Sequence, residues 1–570
     1  MKAKAKLQTK IPGRYLVLLT AFVCMFGMVA ARLGYLHVVK HDFLRTQGEA
    51  RTRREVKIAA YRGIIKDRNG ESLAISTPVD SVWINPQEVD LKDPKLKQVA
   101  KLLDLHVHTM RDKVRKGAHK EFVYLRRHID PKVSKKIQAL QVAGIHLLPE
   151  YKRYYPTGEV TAPVLGTTNV DDRGLEGLEL AYNTWLQGKP GKKIVERDRL
   201  GREVELLDSN EVQPGKDLVL SLDSRLQFLA YKALRAAVTE HNAISGSAVV
   251  LDVKTGEVLA MVNDPSFNPN RRERDQHAHY RNAAVTDAFE PGSVLKTFSM
   301  AGVLERTKIN PNMVIDTSPG YIKLAGGVVR EDHYKGGTLE FASILKESSN
   351  VGITKLVLNL KPQDLVDTYT RMGFGEITGS GFPGESAGYV TIPRQNQSFV
   401  MATMSFGYGV SVTPLQLAQA YAIIGAGGIK RPVSFLKLDD GAVDGIRVLK
   451  PNVARQVLDL LSIAADHDRS NARVSGYRVA GKTGTARKLG KDGLYDKSRH
   501  RAMFGGLAPA INPRVAIVVA IDEPRSGACY GNQVAAPVFS RIASGALRLF
   551  KVAPDLLDTH GVHVASSSNP

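Results

Sequence analysis

Phe289-Glu-Pro-Gly-Ser293-Val-Leu-Lys296-Thr-Phe298 is the stretch on which the reading of this chain turns. Pro291 and Gly292 precede an apolar run that continues to Leu304, a pattern that places Ser293 near a helix N-terminus. Free backbone N–H groups there favour a developing anion. Lys296 lies three residues on, on the same helix face. A serine hydroxyl is a poor nucleophile at neutral pH, so acyl transfer needs such an amine within reach.

Two further motifs follow, Ser348-Ser-Asn350 and Lys482-Thr-Gly484. Serine-x-x-lysine, serine-x-asparagine and lysine-threonine-glycine, in this order, supply a nucleophile, a proton-handling group and a carboxylate-binding strand. Each motif is weak alone. Ser343-Ile-Leu-Lys346 and Ser434-Phe-Leu-Lys437 repeat the first, Ser266-Phe-Asn268 and Ser567-Ser-Asn569 the second, and Lys254-Thr-Gly256 the third. Context selects among them. Ser343 would force one helical segment to supply two motifs, and Ser434 sits in a strand or loop. Lys254-Thr-Gly256 lies between Ala248–Leu251 and Val258–Val262, where it reads as a hairpin turn. Gly484 is expected to leave room for backbone approach to a ligand.

The chain has 570 residues, 43% hydrophobic and 24% charged, enough for two or more soluble domains. Tyr15 through Ala31 carries no charge, and Leu33, Leu36, Val38 and Val39 continue the apolar character. Residues 15–39 therefore read as a retained membrane anchor. Lys2, Lys4, Lys6, Lys10 and Arg14 precede it without an acid, which puts residues 1–14 in the cytoplasm. A cleaved signal peptide is the competing reading, but the apolar run exceeds a usual signal core. Cys24 and Cys529 would lie on different sides of the lipid boundary, so no intrachain disulfide is expected.

The net charge of +22 is uneven: Lys92 to Arg153 holds 16 basic and 6 acidic residues, a net of +10. No nucleic-acid module accompanies it. Anionic lipid headgroups, an acidic protein partner or a solvated basic face fit it better. His106-Val-His108 lacks an obvious third ligand, and no metal or cofactor is expected.

From about Gly215 strand-like runs stand at both ends, with helix-like runs between them; the clearest late strand is Val515–Ile521. This arrangement predicts an α+β fold, an antiparallel sheet flanked by helices, with Lys482 brought beside Ser293. The tail, residues 553–570, reads as disordered.

These residues closely resemble a class B penicillin-binding protein, and within that class the division-specific (septal, FtsI-type) peptidoglycan D,D-transpeptidase. Besides the three motifs, the resemblance rests on Arg62-Gly-Ile-Ile-Lys-Asp-Arg-Asn-Gly70, Gly174-Leu-Glu-Gly-Leu-Glu179, Ser405-Phe-Gly-Tyr-Gly409, Thr413-Pro-Leu-Gln-Leu417 and Tyr530-Gly-Asn-Gln-Val-Ala-Ala-Pro537. Gly531-Asn532 departs from a Gly-Gly pair. The resemblance implies a penicillin-binding serine transpeptidase fold over residues 216–552 and a mixed α/β, non-catalytic pedestal over 42–215. It implies cross-linking of D-Ala-D-Ala stem peptides through a serine acyl-enzyme, with covalent inhibition by β-lactams. It also implies a periplasmic active site at the division site, and partnership with a polytopic lipid II polymerase and other divisome proteins.

In this reading Ser293 is the nucleophile, Lys296 its base, and Ser348 and Asn350 handle protons and substrate amide. Lys482, Thr483, Gly484 and Thr485 receive the terminal carboxylate, and the N–H groups of Ser293 and Thr485 form an oxyanion hole. A β-lactamase of class A would need a deacylating glutamate. Between Asn350 and Lys482 only Glu376 and Glu385 occur, and neither has an asparagine four residues later. A D,D-carboxypeptidase, an elongation-type transpeptidase and a non-catalytic β-lactam sensor or division scaffold remain as alternatives.

Overall fold

The uncharged, proline-free run after Gly13 forms helix α1 (Gly13–Gly34), which continues into a π-helical turn, Tyr35–Val39. Together they are the one helix, among the described residues, long and apolar enough to cross a membrane. The computed structural model describes residues 13–197, 203–271, 280–310, 312–332, 335–439, 443–466, 470–490 and 492–556. Residues 1–12 of the expected cytoplasmic terminus and 557–570 of the expected disordered tail lie outside these. Contacts divide the chain into two units, 1–60 with 188–214, and 61–187 with 215–570. The first unit also holds a three-stranded antiparallel sheet, Arg53–Ile58, Gly191–Arg197 and Glu203–Asn210.

In the second unit, the early strands are β1 (Ile65–Lys66), β2 (Ser72–Ile84), β3 (Val123–Ile129), β4 (Ile145–Tyr154) and β5 (Leu218–Val219). β2 pairs antiparallel with β1, β3 and β4, and β1 runs parallel to β5. Helices α2 (Lys95–Leu102), α3 (Val107–Lys116) and α4 (Pro131–Leu140) bury Leu96, Val99, Met110, Val114 and Ile137 in one core with Val82, Ile84 and Leu125. Asp130 caps α4 through Lys132 N, with Pro131 at the first helical position. Arg62 and Arg153 grip the two oxygens of Glu179 at 2.6 Å each, with all three side chains buried. These three side chains form a buried ionic cluster.

The larger sheet is antiparallel, built from β6 (Ser245–Asp252), β7 (Val258–Asp264), β8 (Ala480–Leu489), β9 (Tyr495–Ala508) and β10 (Val515–Asp522) in the order β7-β6-β10-β9-β8. Ala516, Val518 and Ala520 of β10 face one core cluster, and Val515, Ile517, Val519 and Ile521 face the other. A strand buried on both faces reads as a continuous apolar run, which is why 515–521 shows no alternation. Helices α5 (Ser224–Glu240) and a C-terminal helix, Ala536–Leu549, cover one side. Helices α6 (Lys296–Arg306) and Pro414–Gly425 lie in the other cluster.

Lys254-Thr-Gly256 is the β6–β7 turn: Gly256 has φ +78, and a Cβ there would sit 2.4 Å from Pro432 O. Ser343–Lys346 forms a helical turn of its own, separate from helix α7 (Asn350–Val357). The chain between them turns at Ser348, whose φ is +55.

Candidate active site

Three elements distant in sequence meet here. The first is a 3-10 turn, Gly292–Leu295, that runs directly into α6. Ser293 therefore lies one turn ahead of the α-helix rather than in it. It is half-buried, while Lys296 on the same ridge is fully buried. The second is the kink at Ser348. A left-handed backbone costs a non-glycine residue on the order of 1 kcal/mol or more, and such outliers concentrate at functional sites. The third is β8, the edge strand of the sheet, which carries Lys482, Thr483 and Thr485.

Lys296 Nζ donates to Ser348 O at 2.5 Å, Ser348 Oγ at 3.1 Å and Asn350 Oδ1 at 2.6 Å. An ammonium has three N–H donors, and these partners occupy all of them. No hydrogen bond to Ser293 Oγ occurs among the described residues. Lys482 Nζ donates to the same Ser348 Oγ at 3.1 Å and to Thr483 O at 3.2 Å. Burial pushes Lys296 down to about 8, opposed by the carboxylates of Asp332 and Glu331. Burial also pushes Lys482 down to about 7, and the neighbouring Lys296 charge adds to the shift.

Gly484 departs from its expected role. A Cβ there would lie 2.6 Å from Val294 Cγ2 and 3.0 Å from Pro291 O, so the missing side chain makes room for the Ser293 turn. The position is needed for packing the strand against the turn that carries Ser293. Gly531 fits as tightly on the other side. Its N–H donates to Thr485 Oγ1 at 3.1 Å, and a Cβ would meet Met503 O at 2.3 Å and Gly484 O at 2.6 Å. Asn532, the departure from a glycine pair, accepts from Asn471 N at 3.0 Å through Oδ1 and so is accommodated.

The Ser405–Gly409 phrase wraps the same turn: Gly292 N donates to Gly407 O, and Gly409 N donates to Glu290 Oε1 at 2.8 Å. A cavity of about 340 Å³ adjoins the site, lined in part by Phe289, Glu290, Gly409, Ala486, Arg487 and Arg501. Two residues that the sequence reading missed complete the centre. Glu331 accepts from Asn350 N at 2.7 Å, and Asp332 accepts from Asn350 Nδ2 at 3.1 Å. Adjacent acids in a polar hairpin are too common to mark a site, so no local signal gave them away.

Two families match the chain, the penicillin binding protein transpeptidase domain over residues 246–544 and the penicillin-binding protein dimerisation domain over 57–220. The peptidoglycan D,D-transpeptidase FtsI of Escherichia coli K12 is 40% identical over 98% of this chain and 97% of its own length. The probable peptidoglycan D,D-transpeptidase PenA of Neisseria gonorrhoeae is 40% identical over 95% and 94%. Among solved structures, penicillin binding protein 3 of Mycobacterium tuberculosis, complexed with aztreonam, superposes with a TM-score of 0.68 at 28% identity, covering 88% of this chain and 98% of that one. With a transpeptidase family spanning half its length and relatives at 40% identity end to end, this chain belongs to the penicillin-binding proteins that join a dimerisation domain to a transpeptidase domain.

Proposed function

We propose that this chain is the septal peptidoglycan D,D-transpeptidase of its cell, acting through a Ser293 acyl-enzyme. The observation that carries the mechanism is the shared Ser348 Oγ, 3.1 Å from both lysines. In the free site Lys296, lowered by burial only to about 8, is an ammonium at neutral pH that donates to three partners, and an ammonium is no base. A donor peptide brings its terminal carboxylate to Lys482, Thr483 and Thr485. That anion favours the protonated form of Lys482. Lys296 then passes a proton to Ser348 Oγ, as the Ser348 hydroxyl proton moves to Lys482 Nζ.

Neutral Lys296 has a free lone pair and takes the Ser293 hydroxyl proton as Oγ attacks the carbonyl between the two D-alanines. The N–H groups of Ser293 and Thr485 hold the oxyanion. The C–N bond breaks, the Lys296 proton reaches the leaving D-alanine amine through Ser348, and an ester on Ser293 remains. An amine of a second stem peptide attacks this ester by the reverse route and leaves the cross-link. Asn350 holds Lys296 and the substrate amide.

Residues 42–215 serve as a pedestal and 216–552 as the transpeptidase domain, with 15–39 as a single-pass anchor that leaves the catalytic domain in the periplasm. A polytopic lipid II polymerase and other divisome proteins are the partners this role requires. The test is a fluorescent penicillin label on membranes, followed by mapping of the modified serine, together with a cross-linking assay on nascent peptidoglycan. Stable labelling of Ser293 with cross-link formation is expected. Release of free tetrapeptide without cross-links would make the enzyme a carboxypeptidase.

A further inference from the structure

Glu331 and Asp332 follow directly on a hairpin of Tyr321–Leu324 and Gly327–Arg330. Glu331 N donates to Gly320 O at 2.9 Å, which ties the acids to the hairpin base. The Glu331 carboxylate faces the start of α7. Its Oε2 accepts from Asn350 N at 2.7 Å, and its Oε1 accepts from the Ser349 hydroxyl and from Val351 N at 3.3 Å. Ser349 Oγ in turn accepts from Gly352 N at 2.8 Å, the cap of α7. An anion at a helix N-terminus is favoured by the helix dipole and by free N–H groups. Here it pins the two residues that follow the Ser348 kink.

Asp332 acts on the next atom outward. Asn350 Nδ2 has two hydrogens, which go to Arg330 O at 3.0 Å and Asp332 Oδ2 at 3.1 Å. That choice fixes the amide so that Oδ1, not Nδ2, faces Lys296 Nζ. A flipped amide would set one donor against another and leave Arg330 O and Asp332 without their partner.

We propose that Glu331 and Asp332 are positioning residues for this acyl transfer: Glu331 locks the second serine motif against the two lysines, and Asp332 orients Asn350 and sets a negative charge against Lys296. The inference rests on the transpeptidase reading above. The charged groups that face Lys296 are Lys482 from β8 and Glu331 and Asp332 from the hairpin. Ser348, Asn350 and, at 6.0 Å, the Phe406 ring complete its surroundings among the described residues. Lys296 must lose its proton to act, and a nearby carboxylate holds that proton on. Asp332 therefore contributes geometry at the expense of the neutral fraction of Lys296, and substitutions can separate the two.

The experiment measures the acylation rate of the full-length solubilised chain by a fluorescent penicillin, across the pH range that titrates both lysines. Asp332→Asn keeps a neutral acceptor for Asn350 and removes the charge. The limb near pH 8, where the pair loses the proton held mainly on Lys296, should move to lower pH by roughly half to one unit, the scale of one neighbouring charge discounted for the exposure of Asp332. Asp332→Ala also removes the acceptor and should acylate more slowly than Asp332→Asn at every pH. Glu331→Gln turns an NH₂ toward backbone donors and should lose about tenfold or more at every pH, with the same limb moved to lower pH because it too removes a charge that faces Lys296. Should that variant misfold by circular dichroism, Glu331→Asp decides, because it retains an anion there and should fold and acylate faster. A limb for Asp332→Asn that superimposes on wild type, or a wild-type rate in Glu331→Gln, overturns the proposal. So does a Glu331→Asp variant no better than Glu331→Gln. Loss of Ser293 labelling in the unmutated chain would instead strike the transpeptidase reading itself, so the two failures are distinguishable.

Discussion

Lys296 and Lys482 are 186 positions apart in the chain, yet their Nζ atoms donate to one oxygen, Ser348 Oγ, at 3.1 Å each. Two buried ammoniums on one hydroxyl repel, so the site favours a single proton between them. This pair governs most of what the enzyme should do when pH or sequence is changed.

The pair titrates as a unit. Below both values each lysine is charged and Lys296 is no base. Above both, Lys482 has lost the charge that meets the carboxylate. Acylation of the free enzyme should therefore follow a bell, rising as pH passes about 7 and falling as it passes about 8. A bound carboxylate raises Lys482, so the basic limb at saturating substrate should lie at higher pH than the limb of kcat/KM. Stopped-flow acylation over pH checks both limbs, and a profile flat through this window would remove Lys296 as base.

Lys296→Arg retains a cation but cannot supply a neutral amine near pH 7. It should lose acylation nearly completely. Lys482→Arg retains a charge for the carboxylate and should keep measurable acylation. Each missing oriented contact costs on the order of 2–4 kcal/mol in the barrier, as for a lost oxyanion donor. Equal loss in the two folded variants would make Lys296 an electrostatic partner only.

Ser293→Ala should abolish stable penicillin labelling in a folded protein. Ser343→Ala should leave labelling intact, because Ser343 stands on a separate helical turn. Intact-mass analysis after labelling distinguishes the two.

Gly531→Ala should slow acylation with little change in the stability of the rest of the chain. The added Cβ would press on two backbone oxygens, Met503 O and Gly484 O, and neither can rotate away. The strand carrying Thr485 must shift, so labelling kinetics should fall while the thermal midpoint changes little. Wild-type kinetics would show that the loop yields instead.

Glu179→Ala should destabilise the fold around Arg62 and Arg153 strongly, by about 3–5 kcal/mol, because it leaves the two guanidinium groups buried without the carboxylate they share. Denaturant unfolding of the full chain checks it. Little or no change in the midpoint would mean that water satisfies the two guanidinium groups.

The Ser293–Lys296 pair was legible as a candidate because acyl transfer demands a few residue types at short, fixed spacings, and the structure joins Lys296 to Ser348 and Lys482. The long apolar N-terminal helix was legible for a similar reason: the run from Tyr15 to Ala31 carries no charge. The all-apolar run at 515–521 read as a strand, and the structure shows that both of its faces are buried. Gly484 was harder, since a glycine in a strand shows only that something comes close; in the structure Val294 is one such neighbour.

What the sequence determined by itself was therefore the family, the order of three candidate motifs and the presence of an antiparallel sheet with flanking helices. Only the tertiary structure decided how they are poised. The left-handed backbone at Ser348, the placement of its hydroxyl between two lysines, and the acids at 331 and 332 that hold Asn350 all depend on contacts between elements far apart in the chain. Proton affinity follows from burial and from the charges nearby in space, and neither is written in the spacing of residues along one segment.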